Sequence, residues 1–497
     1  MLREYLRKEG VFLLSAGIVL FFIGFGIARP DLLDAVSSAV HAAILDYFSW
    51  LYLISVFFFL VFALVLALSR YGTIKLGHDA ERPQYGFFGW VAMLFAAGMG
   101  IGLLFWGVSE PLIHYLQPPP FIDPASPDAA AFAMRYAFFH WGVHPWAIYT
   151  IVSLSIAYFS FRRGMPALIS SCFYPVLGER IYGPAGKMVD VFAVVATVFG
   201  TATSLGFGAL QIHSGLTHLY GLPSTISVTI GIIVIATALF MASAILGVEK
   251  GVQVLSKLNI VLATVLLLVV LGLGSTPYVF NVFISTFGGY VNNIIDMSLQ
   301  SYPFAGFDWS RDWTVFYWAW WISWSPFVGL FVARISRGRT IREFVLTVLT
   351  VPTLFTFVWF AVFGGSALHL ELDRGADLAA VAGADVSLAL FAFLEHYPSA
   401  GLLTLIAIIV LIVFFITSAD SATVVLGSLT SGGSLIVPTY KKAIWGLSLS
   451  AVAITLLVTG GLSSLQVMAI TAAFPFMLVM IVLCYTLAIG LSQEKVQ

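Results

Sequence analysis

Apolar residues run along this chain in long blocks broken by short polar stretches. Blocks of roughly 20 or more apolar residues, the length needed to cross a bilayer as a helix, fall at about 11 to 29, 48 to 69, 87 to 115, 137 to 161, 187 to 216 and 223 to 246. A second set falls at about 252 to 275, 312 to 335, 343 to 369, 400 to 431, 439 to 459 and 464 to 492. The pattern predicts an all-α polytopic membrane protein with twelve transmembrane helices. The first block follows Arg3, Arg7 and Lys8, as in a signal peptide, but it is too long for an h-region and lacks a convincing cleavage site, so it reads as a span.

Two connections interrupt the regularity. Residues 277–300 are moderately apolar, contain Gly288 and Gly289, and fit an amphipathic helix lying along the outer surface, with an ordinary extracellular loop as the alternative. Residues 370–399 read as a mostly acidic outside loop.

Composition agrees with this picture. Of 497 residues 60% are hydrophobic and 9% charged, against about 25% charged in a soluble chain. With the N-terminus inside, 19 of the 23 lysines and arginines fall in inside segments, leaving Arg29, Arg135, Arg311 and Arg374 outside. The net charge is −1 with no basic block, which argues against a nucleic-acid partner. Cys172 and Cys484 offer neither a disulfide framework nor a metal cluster.

The densest chemistry lies between Arg311 and Arg342. Trp313, Trp318, Trp320, Trp321 and Trp324 are five of the 13 tryptophans, and an arginine-rich stretch follows them. Indole faces attract cations, and a cage of them recognises quaternary ammonium groups. On a helix Trp320 and Trp324 share a face and Trp321 lies about 100° round from Trp320. An aromatic belt at the headgroup level is the competing reading. Trp141, Trp146 and Tyr149 form a similar arc within about 140°, with Pro145 as a point of weakness. His140 and His144 have the i, i+4 spacing of metal ligands, but no carboxylate or third imidazole stands at partnering spacing.

Gly98, Gly100 and Gly102 alternate inside a span, and each weakens a helix by about 1 kcal/mol relative to Ala. They predict an unwound segment whose backbone serves a substrate or coupling ion, or else close helix packing through the 98/102 pair. Thr197 with Thr201, and Thr417 with Ser418 beside Phe414, are hydroxyl pairs suited to an alkali ion. Taken alone, bonds back to their own backbone or to a neighbouring helix are the simpler account of either pair. Glu110, Asp190 and Asp420 are the acids within helices; none has a partner at catalytic spacing, so pairing between helices or capping is the simpler reading and an enzyme is not expected.

Several blocks then coincide in order: GMGIG at 98–102, WGVSEP at 106–111, HWGVHPWAIY at 140–149, ATVFGTATSLGFGALQ at 196–211, FYWAWWISWSPFVGLFVARISRGRTIREF at 316–344 and ITSADSAT at 416–423. Along nearly its whole length the chain resembles the betaine/choline/carnitine transporter family. The resemblance implies a LeuT-like fold of two inverted five-helix repeats, at 87–275 and 312–492. Residues 1–86 would supply two preceding helices, 276–311 the extracellular amphipathic helix and connection, and 493–497 a short tail. It also implies a homotrimer in a bacterial inner membrane, with both termini cytoplasmic.

Carried over by position, the substrate site comprises Trp141, Trp146, Tyr149, Trp320, Trp321 and Trp324, with the backbone of Gly98, Met99, Gly100 and Gly102. One sodium site matches Ala96, Met99, Phe414, Thr417 and Ser418; a second matches Thr197, Thr201 and Phe327. Proton-coupled choline carriers of the family place an acid where Gly102 stands, so the resemblance favours sodium, and glycine betaine over choline. No cofactor beyond the coupling ions is expected. Ectoine, choline, proline and dimethylsulfoniopropionate are the alternative cargoes, and an ion channel is the alternative class. The family's osmosensing members carry long charged tails, so strong osmotic activation is not expected here.

Overall fold

A computed structural model describes residues 2–98, 100–246, 249–304, 309–434 and 436–494. Among them the chain is helical, with one isolated β-bridge between Lys75 and Thr340. The helices of the first half are α1 (Leu2–Ala28), α2 (Pro30–Leu68), α3 (Phe87–Gly98), α4 (Ile101–Leu116), α5 (Pro127–His140), α6 (Val143–Ala157), α7 (Tyr174–Leu177), α8 (Pro184–Tyr220), α9 (Ile226–Leu246) and α10 (Glu249–Leu273). The second half contains α11 (Thr276–Leu299), α12 (Trp309–Asp312), α13 (Thr314–Ile335), α14 (Ile341–Arg374), α15 (Leu378–Ala384), α16 (Ala389–Leu394), α17 (Ala400–Leu429) and α18 (Thr439–Ser492). Nine helices among the described residues are long and apolar enough to cross a membrane. The protein is therefore a multi-pass membrane protein.

Breaks in the helices position the site. The block expected at 87–115 is two helices, α3 and α4, separated around the extended Gly100 (φ −161°, ψ −179°). The glycine alternation predicted this break, but helix resumes at Ile101, so Gly102 is helical again. The block expected at 137–161 is also two helices, with Trp141 and Gly142 between them. Pro145, expected to loosen that span, instead occupies the first turn of α6, where its missing N–H forfeits no helical bond. Gly142 leaves no room for a side chain: a Cβ there would stand 2.5 Å from the Phe138 carbonyl and 2.9 Å from Tyr290 Oη. Gly460 and Gly461 interrupt α18, and Gly461 takes the left-handed φ of 62° that suits glycine alone.

Residues 276–299 form the expected helix, α11, which packs on α5, α14 and α2. The region 370–399, expected as a loop, is largely helical. Its short helices α15 and α16 bury Leu378, Ala379, Leu390 and Phe391 against the side of α4, an apolar contact that a count of charges along the sequence does not reveal. The centre of the protein is the packing of α13 against α6, α8 and α18, with α4 set between α14, α5 and α8.

Candidate functional site

Where the α3–α4 break meets α6 and α13 there is a cavity of about 590 Å³ of empty space, part of it open to solvent. Gly100, Ile101, Gly102 and Leu103 line it from the start of α4. Trp141, Pro145, Trp146 and Tyr149 contribute a second wall, and Trp320, Trp321 and Trp324 a third. Ser204, Thr356 and Ser418 add hydroxyls, and among the described residues no charged side chain lines the space. All six aromatic residues expected from the sequence thus meet here, together with Gly100 and Gly102. Trp313 and Trp318 do not: Trp313 packs on His114, with ring centroids 4.4 Å apart, and Trp318 on His144, 5.3 Å apart.

The rings form a connected box. Trp320 and Trp321 stack with centroids 4.6 Å apart and planes 17° apart, while Trp141 meets Trp321 at 4.8 Å and 73°. Tyr149 stands edge-on to Trp146 at 5.4 Å and to Trp321 at 6.4 Å. Four of the indole N–H groups point away into the protein. Trp141 donates to Glu110 Oε2 (2.8 Å), Trp320 to Ser204 Oγ (3.1 Å), Trp321 to the His140 carbonyl (3.0 Å) and Trp324 to the Gly200 carbonyl (2.8 Å). With their donors engaged, these rings offer a ligand π-faces and apolar edges. That chemistry suits an onium group with no hydrogen bond to give. Gly102 lies in the wall: a Cβ there would stand 2.8 Å from Cη2 of both Trp141 and Trp320.

The first turn of α4, whose N-cap is Gly100, lines the same cavity. The first N–H groups of a helix lack intrahelical partners and carry the positive end of the dipole, which favours a carboxylate. Aromatic faces and helix N–H groups in one cavity match a zwitterion.

Behind the box lies a buried network that sequence spacing could not assemble. Glu110 Oε1 is 2.7 Å from His140 Nδ1 and 3.3 Å from His114 Nε2. Its Oε2 accepts from Trp141 Nε1 (2.8 Å) and Tyr317 Oη (2.6 Å). His140 Nε2 lies 3.0 Å from Thr314 Oγ1. Four side chains thus engage the two Glu110 oxygens, and two of them, the Trp141 indole and the Tyr317 hydroxyl, are donors. The expectation that His140 lacks a carboxylate and a third imidazole is thereby corrected: Glu110 and His114 arrive from α4, and ligand atoms of the three side chains lie within 4.8 Å of one another. His144 turns instead to Ser298 Oγ at 2.8 Å. Asp190 likewise has a partner, accepting from the backbone N–H (2.9 Å) and hydroxyl (2.7 Å) of Ser170. Tyr317, missed in the sequence, stands one helical turn before Trp321, so the periodicity that gathered the tryptophans could have found it.

The expected ion ligands are only partly placed. Ser418 lines the cavity, Phe414 is buried, and Thr417 Oγ1 donates to the Val413 carbonyl at 2.8 Å. Met99 lies outside the described residues, and of Ala96 and Gly98 only the helical backbone is described. In the other set Thr197 Oγ1 donates to the Ala193 carbonyl at 2.8 Å, whereas Thr201 Oγ1 is buried without any hydrogen bond. Phe327 stands edge-on to Trp324 at 5.4 Å.

An aromatic box at broken helices inside an apolar bundle defines a membrane carrier of a small solute rather than an enzyme. The chain belongs to the betaine/carnitine/choline (BCCT) family of transporters, whose profile matches residues 10–496. It is 48% identical over 489 residues to the glycine betaine transporter OpuD of Bacillus subtilis (strain 168), covering 98% of this chain and 95% of that one. It is 42% identical to a probable glycine betaine transporter of Desulfitobacterium hafniense (strain Y51), covering 98% of each. An ectoine/hydroxyectoine transporter of Virgibacillus pantothenticus is 40% identical, over 98% of this chain and 97% of that one.

Proposed function

We propose that this protein is a sodium-driven symporter that accumulates glycine betaine. The observation that carries the reading is the lining of one cavity: rings with engaged N–H groups, the first turn of α4 and, among the described residues, no charged side chain. A betaine trimethylammonium would lie among the rings and its carboxylate against the backbone N–H groups. Choline, with no carboxylate, would leave that helix end unused.

Sodium coupling is supported by Thr201, whose buried hydroxyl has no protein partner, and by Ser418, which shares the cavity with the solute. Sodium and solute would then each raise the other's affinity by the same factor. The wider architecture belongs to the same proposal. It comprises twelve spans with the halves related as inverted five-helix repeats, cytoplasmic termini and a homotrimer in a bacterial inner membrane. Alternating access would come from rocking of one repeat against the other.

Ectoine is the second reading. Its ring N–H groups would find acceptors in Ser204, Thr356 and Ser418, and one relative is named for it. Uptake of labelled glycine betaine into proteoliposomes under an inward sodium gradient, against an equal potassium gradient, tests the proposal. Uptake that requires sodium is expected. Sodium-dependent uptake of ectoine alone would replace the substrate, and uptake driven by protons with sodium ignored would remove the ion assignment. Trp321→Ala is expected to cost about 1 to 2 kcal/mol of solute binding; unchanged affinity would sink the cage.

A further inference from the structure

A second polar pocket lies away from the cage, between α5 and α11, the segment that precedes α5 and the segment that follows α11, with Phe121, Arg135, Tyr136, Asp296, Gln300 and Tyr302 in its lining. Arg135 sits on α5 with its Nε buried and without a hydrogen-bond partner. Asp296 lines the same pocket, yet among the described residues no carboxylate pairs with Arg135 within ion-pair distance. Aromatic groups complete the lining: Phe121 and Tyr302 have centroids 5.3 Å apart, and Tyr136 Oη is 3.0 Å from Tyr302 Oη.

A buried guanidinium N–H without an acceptor is unfavourable, so an acceptor is to be expected from outside the chain. The guanidinium fork is shaped for a carboxylate. An unpaired cation, a separate exposed carboxylate and aromatic surfaces together fit a molecule with an oxyanion at one end and an onium group at the other. We propose that this pocket is a second binding site for a small zwitterionic onium solute. Arg135 takes the carboxylate, and Asp296 with the Phe121 and Tyr302 rings takes the cationic end. The choice of glycine betaine as the ligand rests on the proposed transport substrate.

The pocket is mechanically close to the cage. α11 also holds the break between α5 and α6: the Val143 N–H donates to Tyr290 Oη at 3.4 Å, and His144 Nε2 lies 2.8 Å from Ser298 Oγ. A ligand bridging Arg135 and Asp296 would therefore fasten α11 to the segment that ends in Trp141.

The test is the stoichiometry of labelled glycine betaine bound at equilibrium to the purified full chain in detergent, for wild type, Trp321→Ala, Arg135→Gln and Arg135→Lys. Two sites per protomer are expected in wild type, one in Trp321→Ala over the range where the cage is empty, and one in Arg135→Gln. Arg135→Lys keeps the charge without the fork and should retain the second site with affinity lowered at least about tenfold; it also serves if Arg135→Gln does not fold. A single site in wild type, or two sites surviving in a folded Arg135→Gln, would overturn the proposal. A zwitterionic lipid headgroup carries similar chemistry. Phosphatidylethanolamine that co-purifies with wild type and is lost in Arg135→Gln, alongside one betaine site, would make the occupant a lipid and overturn the solute. Failure of the cage reading would look different: a stoichiometry that Trp321→Ala leaves unaltered.

Discussion

Glu110 separates two ways in which a buried carboxylate can serve an aromatic cage. It can hold the rings in place, or it can attract the ligand's charge. Glu110→Gln and Glu110→Leu distinguish them. In Gln the amide oxygen can keep the Trp141 and Tyr317 donors, while its NH₂ donates to His140 and His114 in their other tautomers. The hydrogen bonds then survive and the charge is lost. Charge-assisted bonds exceed neutral ones by about 1 kcal/mol each, and that loss falls on free and loaded protein alike. Solute affinity should therefore change by less than about fivefold, while thermal stability falls.

Leu removes the acceptor itself. The Trp141 N–H and the Tyr317 O–H, now 2.8 Å and 2.6 Å from carboxylate oxygen, would be left buried and unpaired at about 1 to 3 kcal/mol each. Trp141 can regain a partner only by turning, which takes its face out of the box. Loss of one ring face is worth about 1 to 2 kcal/mol, or roughly a 5- to 30-fold rise in Kd. Quenching of tryptophan fluorescence by glycine betaine in sodium measures Kd, and a thermal melt establishes that each variant is folded. A folded Glu110→Leu with wild-type affinity would refute the positioning role. A Glu110→Gln as damaging as Glu110→Leu would show that charge is what matters.

Other positions give sharper single tests. Gly102→Ala places a methyl group against Trp141 and Trp320, whose indoles are both anchored, and KM should rise at least about fivefold because overpacking costs about 1 to 3 kcal/mol; an unchanged KM in uptake would show that the rings yield freely. Thr201→Val removes a buried hydroxyl with no protein partner, so stability should hold or improve slightly while the sodium concentration for half-maximal uptake rises at least about fivefold; a melt destabilised with sodium dependence intact would make Thr201 merely structural. At the C-terminal end, burial pushes the Glu494 carboxyl up, but its bonds to Arg162 (2.9 Å) and Tyr158 (2.9 Å) outweigh this and hold it below its usual 4.5. A depressed carboxylate contributes above pH 4.5 and stops contributing as pH falls through its native value. Hydrogen exchange of residues 490–494 should therefore lose protection only under acid below pH 4.5; loss above it would contradict the pairing.

Much of the cage was legible because a membrane helix has few degrees of freedom. Once Trp320, Trp321 and Trp324 are placed on a 3.6-residue helix their common wall follows, and three glycines in one span mark a break within two residues of where it falls. The second break was not legible. Pro145 looked like the weak point, whereas the chain parts at Gly142, where the crowding comes from Tyr290, 148 positions away. The partners of Glu110 were equally hidden, since His140 and Tyr317 are 30 and 207 residues distant. α15 and α16 escaped notice because each is shorter than two turns and owes its burial to α4.

Those distant contacts give the site its mechanical character. Each anchored indole ties the cage to a different part of the bundle: Trp141 to α4, Trp320 and Trp324 to α8, and Trp321 to the end of α5. Three of these rings stand on α13, and Trp141 stands at the second break. The box is therefore complete only while α13, α4, α5 and α8 keep one mutual arrangement. A solute that gains about 2 kcal/mol from the completed rings favours that arrangement over any other by roughly 30-fold. Binding energy at the rings is thus converted directly into a preference for one helix arrangement, which is the differential affinity a carrier needs.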